Sequence, residues 1–235
     1  MSGSRVHALI PAAGQSVRFG GTTLKQYAHL LGKPVMAHSI AALLRHPLVA
    51  SVTVALAPDD GIFDELVGPD YPGVLRADGG DSRAQTVMNG LDYMSRELPD
   101  CDWVLVHDAA RPCLSAADLG RLLERGLQSE SGAILATPVH DTLKRADESG
   151  HIERTIDREH YWAAQTPQLF RLGSLRKNLG AALASGVYPT DEASAMEMAG
   201  IHPLLVQGSS TNIKITGAGD LALAEFILQR QSVRE

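Results

Sequence analysis

The chain has 235 residues, a formal net charge of −6, 44% hydrophobic and 20% charged residues. This is the composition of a globular chain long enough for one large α/β domain, and it argues against disorder. Its acidic balance makes it a poor general binder of nucleic acid, because phosphate affinity comes from clustered Lys and Arg. Two cysteines, Cys101 and Cys113, make neither a disulfide framework nor a CxxC zinc pair. No run approaches the ~18 apolar residues of a membrane span, and Val6 to Ala13 is too short for a secretory signal. The expected setting is the cytoplasm, without membrane attachment.

In chain order, Val6 to Ile10 is a short apolar strand that ends in Pro-Ala-Ala-Gly. Val35 to Arg45 repeats apolar residues at helical spacing and is stopped by His46-Pro47. Val52 to Leu56 is a second buried strand and Val74-Leu75 a weaker third. Ser82 to Leu98 reads as a helix with Asp81 placed to cap it. Trp103 to His107 is a strong strand, Asp118 to Leu127 helical, and Ala133 to Ala136 another strand. The polar stretch from His140 to Tyr161 breaks this rhythm. Ile152 and Thr155-Ile156 give it short strand signals, which predict a projecting β-arm at about 139–161. Helices follow over Leu172 to Ser185 and Asp191 to Ala199, strands over Leu204 to Val206 and Asn212 to Thr216, and a last helix over Asp220 to Gln229.

Alternation of continuous apolar strands with helices predicts a Rossmann-like, doubly wound, mostly parallel α/β sheet covered on both faces. Ligands in such sheets sit beyond the carboxyl ends of the strands. The unusual segments Pro11 to Lys25, His107 to Pro112 and Pro138 to Lys144 all follow strand ends.

The segment from Pro11 to Gly21, with Lys25 soon after, combines small residues with Arg18 and Lys25. Small residues let backbone N–H groups approach an anion, and the two cations supply charge for a triphosphate. The string is neither a Walker A loop nor a GxGxxG loop, and the second mismatch excludes a dehydrogenase. An ordinary glycine-rich turn with solvated basic residues remains open from this string alone. Asp108, just past a buried strand, suits Mg²⁺, which takes oxygen ligands and keeps several waters. Capping of the next turn, with Arg111 paired to Asp108, is the plainer alternative. Gly79-Gly80-Asp81 ahead of a helix, with hydroxyls at Ser82 and Thr86, suits a base packed against backbone. No HExxH spacing and no G-x-S-x-G context is present, so neither a zinc site nor a serine nucleophile is expected.

Together these segments resemble the 2-C-methyl-D-erythritol 4-phosphate cytidylyltransferase family. The matching strings are Ile10-Pro-Ala-Ala-Gly, Lys25-Gln-Tyr, Asp78-Gly-Gly-Asp, Val106-His-Asp-Ala-Ala-Arg-Pro-Cys, Asp141-Thr-Leu-Lys-Arg, Thr166-Pro-Gln, Thr190-Asp-Glu-Ala-Ser and Asn212-Ile-Lys, in order over nearly the whole chain. The resemblance implies transfer of a cytidylyl group from CTP to methylerythritol 4-phosphate with Mg²⁺, and a homodimer built through the arm. Carried over position by position, Arg18, Lys25 and Lys214 are catalytic. Ala12, Ala13, Gly14, Gly80, Asp81, Thr86, Asp108 and Ala109 bind nucleotide. Thr142, Arg158, Thr166 and Thr190 surround the acceptor, Arg158 from the partner's arm, and Asp108 faces the metal. The sequence departs from the family where Ser16 replaces a glycine and where Thr86 stands at a position often serine. A cytidylyltransferase for another polyol phosphate, such as ribitol 5-phosphate, is the nearest alternative. A non-catalytic nucleotide-sensing module is a more distant one, opposed by the joint presence of Lys25, Asp108 and Lys214.

Overall fold

The structure is a computed structural model and describes residues 5–14 and 24–233. Its elements in chain order are β1 (Val6–Pro11), a 3₁₀ turn at Lys25–Tyr27, β2 (His29–Leu30), β3 (Lys33–Pro34), α1 (Val35–Leu44), β4 (Val49–Leu56) and α2 (Ile62–Leu66). Then come β5 (Leu75–Asp78), α3 (Arg83–Glu97), β6 (Trp103–Val106), α4 (Ala116–Gly126) and β7 (Ala133–Pro138). The remainder is β8 (Leu143–Ala146), β9 (Ile152–Ile156), β10 (Trp162–Arg171), α5 (Leu172–Ala184), α6 (Glu192–Met198), β11 (Leu204–Gln207) and α7 (Ala218–Ser232).

Seven strands form one sheet in the order β11-β7-β10-β6-β1-β4-β5. All neighbours are parallel except β10, which runs antiparallel to both β6 and β7. The alternation of side chains along a strand decides which layer each residue serves. On β1, Val6, Ala8 and Ile10 pack with Met36, Ile40 and Leu43 of α1 and with Leu119, Leu122 and Leu123 of α4. Leu9 points the other way, toward Val87, Leu91 and Met94 of α3 and Leu175 and Leu179 of α5. Burial on both faces explains why these strands read as unbroken apolar runs. Each buried Leu, Ile or Val stabilises the fold by roughly 1.5–3 kcal/mol.

Strand order reverses at β1: the chain adds β4 and β5 on one side of it and then β6 on the other, both neighbours of β1 running parallel to it. The crevice beyond the carboxyl end of β1 is where an open α/β sheet accepts a ligand.

Most sequence expectations hold within a residue or two, and the differences have physical causes. Ser82, not Asp81, caps α3: its hydroxyl accepts from the Gln85 N–H at 3.1 Å. The segment from Asn212 to Thr216 is not a strand. Its backbone is held by single bonds, Ile215 N–H to Ala110 O at 2.8 Å and Arg111 to Asn212 O at 2.6 Å, with no ladder beside it. The long strand β10 was not expected, since Gln165, Thr166, Pro167 and Gln168 interrupt its apolar pattern. Those residues are where its ladder with β7 shifts register, between Ala164 and Gln168. The arm is a two-stranded antiparallel hairpin, β8 with β9, separate from the main sheet. Among the described residues, no helix is long and apolar enough to cross a membrane.

Gly132 opens β7 with φ +77°, and a Cβ there would lie 2.4 Å from the Leu169 carbonyl oxygen. Gly132→Ala is expected to lose stability by about 1–3 kcal/mol from backbone strain alone. Gly73→Ala, whose Cβ meets nothing within 4 Å, should change it by no more than about 0.5 kcal/mol. Urea denaturation of the two variants checks both values, and equal effects would contradict the packing described.

Candidate active site

The loop leaving β1 is pinned from two sides. The Ala12 N–H donates to Ala55 O at 2.8 Å, and the buried Gln26 side chain donates to Ala12 O at 3.1 Å. Opposite it runs the turn into α3, where Gly79 N–H donates to Leu56 O at 2.6 Å. A Cβ on Gly79 would fall 2.3 Å from the Ala13 Cβ, so only glycine lets the two segments pass. Between them lies a cleft whose lining includes Ala12, Ala13, Gly14, Lys25, Thr86 and Ala109. Thr86 spends its hydroxyl on Gly80, donating to Gly80 O and accepting from Gly80 N–H, both at 3.1 Å. It therefore shapes the glycine turn and has no proton left to donate to a base. Asp81 is exposed at the lip of that turn.

Asp108 forms the floor. Its side chain is 10% exposed and meets three cations: Lys214 Nζ at 2.8 Å, Arg83 Nη2 at 3.2 Å and Arg111 Nε at 3.7 Å. Burial pushes a carboxyl up, but here Arg83, Lys214 and Arg111 overcome it and hold Asp108 well below the usual carboxylate range. Arg83 is itself clamped by Glu192, Nη1 to Oε1 at 2.7 Å and Nη2 to Oε2 at 3.2 Å. Burial would lower the Arg83 pKa, and the two carboxylates outweigh it and raise it.

A second cleft adjoins the first across this cluster. Its lining includes Thr166, Gln168, Thr190 and Asp191, and it shares Arg83, Asp108 and Lys214 with the first. The strand interruption in β10 delivers Thr166 to the end of β6. There its hydroxyl accepts from the Asp108 N–H at 3.0 Å and lies 3.1 Å from His107 Nδ1. His107 Nε2 lies 3.1 Å from Arg111 O. A carbonyl can only accept, so Nε2 carries the proton and Nδ1 accepts from Thr166 Oγ1. The Thr166 proton is thus committed to His107, and the threonine acts on Asp108 by holding its backbone. Asn212, fully buried, ties the Lys214 segment to the same point by donating to Thr166 O at 2.9 Å.

The structure therefore brings together Ala12, Ala13, Gly14, Lys25, Thr86, Asp108, Ala109, Thr166, Thr190 and Lys214 from the sequence expectations, with Gly80 held against Thr86. It does not bring Thr142 and Arg158 there. Both are exposed on the arm, and Arg158 donates to His140 O. Arg18 and Ser16 lie outside the described residues. Sequence reasoning gave no role to Arg83, Glu192, Gln168 or Asn212, although all four stand in or beside the matched strings. Nothing in a string says that Glu192 is 2% exposed or that Arg83 faces it.

A glycine-bordered loop after the first strand, cations that outnumber carboxylates, and an adjoining second cleft define a nucleotidyltransferase. The model of the family 2-C-methyl-D-erythritol 4-phosphate cytidylyltransferase matches residues 6–230. Proteins of that name from Vibrio parahaemolyticus and Shewanella amazonensis are 49% and 50% identical, over 95% and 98% of this chain and 95% of each of theirs. A crystal structure of 4-diphosphocytidyl-2C-methyl-D-erythritol synthase superimposes with TM-score 0.83 at 39% identity, covering 96% of this chain and 99% of its own. The Francisella tularensis 2-C-methyl-D-erythritol 4-phosphate cytidylyltransferase gives 0.80 at 36% identity, covering 95% and 100%. The chain belongs to the 2-C-methyl-D-erythritol 4-phosphate cytidylyltransferase family.

Burial lowers the pKa of His107 from 6.5 to about 4. The unfolded state therefore binds the proton more readily between these values, and stability must rise with pH across that window. The His107 contribution is complete above about pH 6.5 and is lost as pH falls toward 4. Denaturant midpoints measured from pH 4 to 7 should drop more steeply in acid for the wild type than for His107→Asn. Parallel curves would contradict the neutral, doubly bonded imidazole.

Proposed function

We propose that the chain transfers the cytidylyl group of CTP to 2-C-methyl-D-erythritol 4-phosphate, with release of pyrophosphate. The observation that carries this reading is the pair of adjoining clefts sharing Asp108, Arg83 and Lys214. Two anionic reactants repel each other, and shared cations at their meeting point offset that repulsion. The triphosphate occupies the cleft beside Ala12 to Gly14 and Lys25, with Arg18 as a further cation for its charge. Gly80 and Asp81 face the base, and Ala109 and Asp108 the ribose. The acceptor phosphate enters the second cleft beside Thr190 and Lys214. Its oxygen attacks the α-phosphorus in line, one P–O bond forms, and the bond to the β-phosphate oxygen breaks as pyrophosphate leaves.

No general base is required, because the nucleophile is an ionised phosphate. His107 cannot serve as one: it is buried and both ring nitrogens are engaged. Catalysis then consists of positioning and of cations aimed at charge in the transition state. Lys25 and Arg18 act on the triphosphate and Lys214 on the acceptor phosphate.

The described residues contain no group of three His, Cys, Asp or Glu able to hold a metal. Mg²⁺ nevertheless fits, since it is commonly held by one or two carboxylates plus substrate phosphates. Asp108 is the carboxylate lining the first cleft, and a carboxylate offers about four lone-pair sites. Bound there, Mg²⁺ neutralises part of the triphosphate charge.

The arm supports the reading of a homodimer. A two-stranded hairpin is marginal in water on its own, and this one carries Ile152 at 66% exposure, with Tyr161 half exposed at its base. A partner copy would cover it and carry Arg158 and Thr142 toward an acceptor cleft. Sedimentation should therefore give about twice the 25.1 kDa chain mass. Arg158→Ala should raise KM for the acceptor while leaving KM for CTP within about twofold. A monomer with full activity would contradict both.

The direct test is pyrophosphate release with each of four nucleoside triphosphates, paired with methylerythritol 4-phosphate and with ribitol 5-phosphate. Turnover is expected with CTP and methylerythritol 4-phosphate, and Lys25→Ala should lose ~10²-fold or more in kcat/KM. Preference for ribitol 5-phosphate, or unchanged turnover in the variant, would overturn the reading.

A further inference from the structure

Arg83 is the first residue of α3, one position after the cap that ends the glycine turn of the nucleotide cleft. Its guanidinium crosses to Glu192, the first residue of α6, and reaches Asp108 with the same Nη2. Glu192 is 2% exposed, so the pair is buried at its acidic end.

The α6 end is rigid on its own account. Asp191 caps the helix by accepting from Ser194 N–H at 2.9 Å and from Gln168 Nε2 at 2.9 Å. Gln168 Oε1 in turn accepts from Ala193 N–H at 2.9 Å. This unit carries Thr190 into the acceptor cleft. The α3 end is rigid too, because Thr86 locks Gly80 and Asn89 donates to Gly79 O at 2.8 Å. Two stiff assemblies, one from each cleft, meet through a forked guanidinium, a geometry that fixes angle as well as distance.

The geometry points to Arg83 as a positioning residue that couples the nucleotide and acceptor clefts, through Glu192 on one side and Asp108 on the other. This rests on the two-substrate reading above. Occupancy of the nucleotide cleft sets α3, Arg83 carries that setting to Asp108 and the start of α6, and the acceptor phosphate meets an aligned Lys214 and Thr190. A misplacement of about 1 Å in such an alignment costs on the order of 10²-fold in rate.

The plainer role, a strut joining α3 to α6, is separable by experiment. Removing one partner leaves a buried charge unpaired and destabilises the fold, whereas replacing both by apolar residues of similar volume is often neutral. Wild type, Arg83→Met/Glu192→Leu and Arg83→Lys are compared as full chains by thermal melting and by kcat and KM for each substrate. Calorimetry then gives the affinity for methylerythritol 4-phosphate with and without α,β-methylene CTP. The wild type should bind the acceptor about fivefold or more tightly when the analogue is present. The double variant should melt near the wild type, lose ~10²-fold in kcat, and bind the acceptor equally with and without the analogue. Arg83→Lys keeps the charge but not the fork, and should show the same two losses to a smaller degree. Wild-type kcat in the double variant, or no effect of the analogue on the wild type, overturns the coupling. Should the double variant not fold, Arg83→Lys decides on the same readouts, and wild-type values for both overturn the inference. An inactive wild type would defeat the function assigned above rather than the coupling.

Discussion

Asp108 is a carboxylate at the end of a strand buried on both faces, and burying such a charge costs several kcal/mol unless it is paired. Arg83, Arg111 and Lys214 meet it from three different parts of the chain. Each of these partners has its own anchor. Arg83 is held by Glu192, Arg111 bonds to Asn212 O, and Lys214 follows the Asn212 whose side chain is fixed to Thr166 O. The Asp108 backbone is fixed in turn through Thr166 and His107. One desolvated charge thus obliges the end of β6, the middle of β10, the starts of α3 and α6 and the segment after β11 to converge.

That convergence leaves cations in excess at the point where two phosphate-bearing substrates must meet. A fixed positive field in a partly dry crevice acts more strongly than the same charges in water, and it needs no reorganisation during the reaction. The sheet contributes by placing the crevice where the strand order switches sides about β1. The antiparallel β10 contributes by breaking its ladder where Thr166 is needed. The same arrangement explains why no nucleophile–base pair is present among the described residues: the imidazole of His107 is spent on structure.

The sheet and its helices were legible because burial on both faces writes itself as apolar runs and 3.6-residue periodicity. Val52 to Leu56 and Trp103 to His107 needed no more than that, the second strand ending one residue earlier, at Val106. β10 was not legible, since its polar centre serves the site rather than the ladder, and Asn212 to Thr216 looked like a strand only because its apolar residues alternate. At the site, Lys25, Asp108 and Lys214 stood out through their place after strands and in the matched strings. The roles of Arg83, Glu192 and Gln168 depend on side chains meeting across the fold, and no local pattern encodes such a meeting. Thr86 and Thr166 were legible as hydroxyls near ligands. That their protons are already committed, to Gly80 and to His107, is a matter of geometry alone.

If Asp108 gathers the cations that the substrates then use, Lys214 must exchange its partner when they bind. A crystal structure with α,β-methylene CTP and methylerythritol 4-phosphate tests this most directly. Lys214 Nζ is expected beyond hydrogen-bond distance of Asp108 and in contact with the acceptor phosphate, while Arg83 stays on Glu192. A Lys214 still paired to Asp108, with the acceptor phosphate bound elsewhere, would contradict it.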